Sequence, residues 1–125
     1  MTKGWKVEHI NDVPPKEDSY TKGWKSIRWH MGIDAFGVNA IAREKGEWLT
    51  KEHDEVDTDQ QELFIITEGQ AEFTVDGKKF KAGPGTLVAV TDPRIKRGAD
   101  ALVTPTTMLI IGGPAGKVYK PPSWA

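Results

Sequence analysis

Residues 52 to 69, EHDEVDTDQQELFIITEG, set a histidine among carboxylates and then run through an apolar strand to a glycine. Of the histidine and carboxylates in this stretch, His53, Glu55 and Glu62 are the candidates to hold a divalent ion. Alternation along an extended chain puts positions 53 and 55 on one face, and one imidazole with carboxylates suits Fe(II), Mn(II) or Zn(II). The opposing reading is that EHDE is a solvated acidic loop and Glu62 an ordinary carboxylate paired with an arginine. A second stretch, TDPRIKRGADA at 91 to 101, supplies that arginine. If strand parity holds beyond Pro93, Ile95, Arg97 and Ala99 share a face, and the apolar pair marks it as the core face. An inward Arg97 needs an anionic partner, because an unpaired buried charge is very costly. That partner is either Glu62 or the carboxylate or phosphate of a ligand, which the forked donors of arginine bind well.

Other chemistries find less support. The chain has no cysteine, so it has no thiolate nucleophile and no disulfide framework, which fits a reducing cytosol. Ser19, Ser26 and Ser123 lie in polar or terminal stretches without a nucleophile-elbow context, and GGPAG at 112 to 116 lacks the Lys-Ser/Thr ending of a phosphate loop. His9 and His30 have no ligand-like neighbours at useful spacing and read as structural or exposed. Seventeen Lys and Arg against eighteen Asp and Glu give a net charge of -1, so no strong field draws the chain to nucleic acid or an anionic membrane. The N-terminus, MTKGWKVEHI, is too polar for a signal peptide, and no apolar run approaches the roughly 18 residues of a membrane span. The expectation is a soluble, cytoplasmic protein that meets a small molecule.

The elements that must position these residues are short. At 125 residues the chain is one ordinary domain, and 13 Gly and 8 Pro point to many turns. From about Lys25 onward, strand-like runs recur between glycines and prolines: WKSIRW, FGVNAIARE, ELFIIT, QAEFTVD, KKFKA, TLVAVTD and TTMLIIG. EGQ at 68 to 70 reads as a hairpin turn between ELFIIT and AEFTV, and Asp76-Gly77 as a second, which together make a three-stranded meander. KAGPGTLVAV reads as a strand buried on both faces, in the middle of a sheet. TKGWK occurs at 2 to 6 and again at 21 to 25, around the turn PPKEDS. Two copies are too few for a solenoid, and the tryptophans suit edge-covering or dimer contacts unless they converge on a ligand.

Glu62, the six residues LFIITE and Gly69 resemble the end of the first motif of the cupin superfamily, and Gly83-Pro84-Gly85 resembles the start of its second. The resemblance spans about residues 30 to 113. It implies an all-β fold, a double-stranded β-helix or jelly-roll barrel of two antiparallel sheets around a pocket, and commonly a homodimer. Here that means an N-terminal extension at 1 to 24, a barrel at 25 to 120 and a C-terminal tail at 121 to 125. Metal-binding cupins carry two histidines as His-x-His, then the glutamate, then a second-motif histidine. One register places His53 and Glu55 at the first two positions; another places Glu55 and Asp57 there, which makes Asp57 the substitute ligand. The fourth position falls at or near Arg97, and a guanidinium offers no lone pair to a metal.

Three functions follow as expectations. The first is a degenerate, metal-poor cupin that binds a small, anionic organic molecule, with Arg97 as anchor, Asn39 as a polar contact beside Glu62, and Phe64, Ile66 and Phe73 as an apolar wall. The second is a metal-dependent oxygenase, isomerase or hydrolase that uses His53, Glu55 and Glu62. The third is a structural or regulatory dimer whose pocket is filled by its own side chains.

Overall fold

A computed structural model describes residues 4–16, 21–122 and 125. Parts of the first TKGWK copy and of PPKEDS, with Ser19, Ser123 and Trp124, lie outside the described residues. Nine strands form two antiparallel sheets. The first sheet has the order β1 (Lys25–Ser26), β2 (Gly37–Arg43), β9 (Thr106–Pro114), β4 (Gln60–Glu68) and β7 (Leu87–Val90). The second has the order β3 (Trp48–His53), β8 (Arg97–Ala101), β5 (Ala71–Val75) and β6 (Lys78–Ala82). Because consecutive strands repeatedly change sheets, the topology is that of a jelly-roll barrel. Among the described residues, no helix is long and apolar enough to cross a membrane.

Alternation builds the core. Phe64 and Ile66 on β4, Phe73 on β5, and Met108 and Ile110 on β9 point between the sheets. Phe64 and Phe73 meet edge to face across them at 5.8 Å. An aromatic pair of this geometry adds about 0.5–1.5 kcal/mol beyond its area burial. Leu49, at the start of β3, is also fully buried.

Three local expectations are corrected. The meander does not form: β4 pairs with β7 and β9, whereas β5 pairs with β6 and β8. Both edges of β4 are occupied, so the chain at Gly69 leaves one sheet for the other. Gly69 has φ +81°, and a Cβ there would lie 2.3 Å from Pro105 O and 2.5 Å from Thr106 Oγ1. The buried Thr106 hydroxyl accepts from Gln70 N and donates to Val103 O, which fixes the crossing. The Asp76-Gly77 hairpin between β5 and β6 does form.

TLVAV is an edge strand rather than a central one. β7 bonds only to β4, with Val88 and Val90 inward and Leu87 63% exposed. Its unbroken apolar sequence gave no sign of which face was outer. WKSIRW yields only the two residues of β1 before a five-residue helix, α1 (Ile27–Met31). Ser26 Oγ accepts from Trp29 N as its N-cap, and Gly32 closes it in the left-handed conformation. β3 and β8, with sequences WLTKEH and RGADA, were missed as sheet partners because both are polar and their pairing is interrupted by register shifts.

The candidate pocket and its charged cluster

β3 delivers His53 and β4 delivers Glu62, one from each sheet, while Glu55 comes from the loop that joins them. That loop, residues 54–59, is held in place: Glu55 N donates to Pro93 O at 2.8 Å and Asp59 N to Glu55 O at 2.8 Å. Glu55 is therefore not on the strand with His53, as alternation suggested, but the turn returns it to the same place. Ligand-type atoms of His53, Glu55 and Glu62 lie within 4.8 Å of one another. Asp57 is exposed and is not in this group.

His53 Nε2 lies 3.0 Å from Glu55 Oε1 and 3.8 Å from Glu62 Oε1. Its Nδ1 donates to Lys51 O at 2.7 Å, which fixes the ring. The Glu55 hydrogen bond raises the imidazole's pKa above its usual value despite partial burial. Burial works to raise the Glu55 carboxyl, but hydrogen bonds from His53 and Thr58 with the nearby charges outweigh it and leave it lowered. Burial and the Glu55 charge raise Glu62, against the pull of His53 and Arg97. Of the two carboxyls, Glu62 is thus the first to take a proton as the pH falls.

Arg97 points inward as its parity required and is wholly buried. Its donors are used within the protein: Nη1 to Glu62 Oε1 at 2.7 Å, Nε to Ile95 O at 3.0 Å and Nη2 to Asp92 O at 3.2 Å. Of the two partners open to it, the structure supplies Glu62. This also decides how a divalent ion fits. The donor types suit one, but the Glu62 oxygen that faces His53 is the oxygen Arg97 holds. An ion there would sit beside a permanent cation with no lone pair to offer. Arg97 and an ion would therefore compete for Glu62 Oε1.

The cluster closes one side of a cavity of about 240 Å³. Asn39, Thr50 and Gln60 line it with polar groups, and Trp24, Ile110 and Tyr119 with apolar surface. Phe64, Ile66 and Phe73 do not line it; they lie fully in the core between the sheets, one layer further along the barrel. Trp24 is the one described tryptophan in the lining, while Trp5 and Trp29 are each 63% exposed. His30 pairs with Glu8 at 3.1 Å, and His9 caps a 3-10 turn over Ile10–Asp12.

Two features of the pocket had no signal in the sequence. The tail folds back so that Tyr119, Pro122 and Ala125 form one wall, and the buried Arg28 clamps it by donating to Ala125 O at 2.6 Å. Gly37 on β2 leaves room for this wall, and its register partner Gly112 on β9 leaves room for Gln60 and Glu62. A Cβ at Gly37 would lie 2.8 Å from the Tyr119 hydroxyl, and one at Gly112 would lie 3.0 Å from Gln60 Oε1.

A two-sheet barrel with an internal pocket and a histidine–carboxylate cluster at its wall defines a class of small β-barrel proteins. The chain has the cupin fold. A cupin protein from Bacteroides fragilis superposes with a TM-score of 0.70 at 18% identity, covering 97% of this chain and 93% of that one. A putative sugar phosphate isomerase from Acidithiobacillus ferrooxidans gives 0.63 at 20% identity, over 71% and 56%. The Cupin_2 domain of an XRE family transcriptional regulator from Enterobacter cloacae gives 0.59 at 14% identity, over 72% and 93%. No protein-family model matches the chain, and no curated protein matches it in sequence.

Proposed function

We propose that this protein binds a small organic molecule in the barrel without a metal ion. The observation that carries this reading is the Arg97–Glu62 pair: a buried guanidinium holds the carboxylate oxygen that faces His53. Charge is already balanced there by the protein's own groups, so the cluster serves as a polar wall. At about 240 Å³ the cavity lies just below the roughly 300–1,000 Å³ of common ligand pockets, and its mixed lining suits a compact ligand. No reaction is assigned, because a fold alone does not carry one. A homodimer fits the outer face of the first sheet, where Leu63, Ile65, Leu109 and Ile111 form two apolar rows ending in Leu87 and Ala89.

The test is ligand-induced stabilisation. A small-molecule library screened by thermal shift in chelator is expected to give hits whose stabilisation does not change when Mn(II), Fe(II) or Zn(II) is added. Hits that appear only with added metal, and that disappear in His53→Ala, would show instead that the cluster is a metal centre.

A further inference from the structure

The chemistry of the lining narrows what the cavity can hold. Among the described residues no lysine or arginine lines it, and the buried Arg97 gives an N–H each to Glu62 and to two backbone carbonyls. A carboxylate or phosphate entering the cavity would meet Glu55 and Glu62, and the lining's one imidazole, His53, is already engaged by Glu55 at 3.0 Å. The side chains facing it are otherwise hydroxyls and amides, from Thr50, Thr58, Gln60, Tyr119 and Asn39.

Asn39 adds a specific requirement. It lies on β2 opposite Ile110, is only 9% exposed, lines the cavity, and its Oδ1 has no hydrogen-bond partner. A buried acceptor left unpaired is costly, so a donor group is expected to meet it. Glu55 makes no such demand, since its two oxygens face His53 Nε2 at 3.0 Å and the Thr58 hydroxyl at 2.6 Å. The site therefore asks for hydrogen-bond donors rather than for a charge. Trp24 and Ile110 offer apolar surface for the carbon face of such a molecule.

We propose that the cavity takes a neutral, polyhydroxylated molecule of monosaccharide or cyclitol size, with Asn39 accepting from one of its hydroxyls. The inference rests on the metal-free pocket reading and replaces the anionic ligand expected from Arg97.

The experiment titrates the full chain by isothermal calorimetry and saturation-transfer NMR with myo-inositol, D-glucose and D-xylose. The anionic counterparts D-glucuronate and D-glucose 6-phosphate are run beside them, each in EDTA and in Mn(II). At least one neutral compound is expected to bind, at least tenfold more tightly than the anions. Asn39→Leu, checked for folding by circular dichroism and melting temperature, is expected to weaken it about tenfold, the effect of one lost hydrogen bond at the upper end of its range. Anions binding as tightly as the neutral compounds, no neutral compound binding, or full affinity in a folded Asn39→Leu would each overturn the proposal. The wild-type comparison decides it even if that variant fails to fold. Neutral compounds that bind only in Mn(II) would sink the metal-free reading while leaving the neutral class standing. An anion that binds in EDTA as tightly as the neutral compounds would do the reverse.

Discussion

Replacing Arg97 by methionine is the perturbation that separates a structural ion pair from a spare charge. The guanidinium is wholly buried and its partner Glu62 is 9% exposed, so the substitution strands a carboxylate inside the barrel. Breaking a buried pair from one side costs about 3–5 kcal/mol. In a chain of this size 1 kcal/mol moves the melting temperature by roughly 3–6 °C, so a fall of about 10–25 °C is expected. Protonation of Glu62 relieves part of this, and the loss should therefore shrink as the pH falls. Adding Glu62→Gln to Arg97→Met removes the stranded charge and should recover at least half of the loss. Thermal melts at pH 7 and pH 5 on the three proteins supply the cycle. A single variant that melts within 3 °C of the wild type, or a double variant no more stable than the single, would refute the reasoning.

Further outcomes follow from other contacts. The His53 pKa, read by NMR, should lie above the ordinary value near 6.5 and fall towards it in Glu55→Gln, because the Glu55 hydrogen bond is the largest cause of the rise. By linkage, His53 contributes stability that is complete below about 6.5 and lost as the pH rises through its higher folded pKa. Glu55 contributes stability present above its ordinary range and lost as the pH falls through its lowered folded pKa. A flat stability profile across both ranges would contradict this. Gly69→Ala combines φ +81° with a Cβ 2.3 Å from Pro105 O, and should cost more than about 3 kcal/mol in urea melts, beyond the 1–3 kcal/mol of a strained backbone alone. Arg28→Ala should speed hydrogen exchange at the amides of Tyr119, Lys120 and Ala125 by releasing the tail from the cavity, while β4 and β9 keep their protection.

The fold was legible where residue type and period agreed. ELFIIT, AEFTV and TTMLIIG alternate, and their inward residues are the core. It was not legible where the chain changes sheets, because a hairpin turn and a crossing turn can share the sequence Glu-Gly-Gln. What tells them apart is Gly69 packed on Pro105 and Thr106, a contact between distant parts of the chain. TLVAV misled for a related reason: an apolar outer face at a sheet edge reads like burial. In the site, residue type pointed to His53, Glu55 and Glu62, which the structure brings within 4.8 Å by a turn rather than by strand alternation, and parity gave the inward direction of Arg97. The choice of Glu62 as its partner depended on β4 and β8 lying in facing sheets. The pocket wall was placed on Phe64, Ile66 and Phe73 because they share the face of Glu62, yet the cavity lies to one side of them. Its own wall comes from Trp24 and the tail, whose position no local pattern encodes.

The central claim is that Arg97 holds the site closed to metal, and metal content tests it most directly. Protein made without a histidine tag and dialysed against trace Fe, Mn and Zn is measured by mass spectrometry, beside His53→Ala and Arg97→His. The account predicts far less than one ion per chain in the wild type, unchanged in His53→Ala, and a rise in Arg97→His, which removes the cation and adds a lone pair. Near one ion per wild-type chain, lost in His53→Ala, would contradict it.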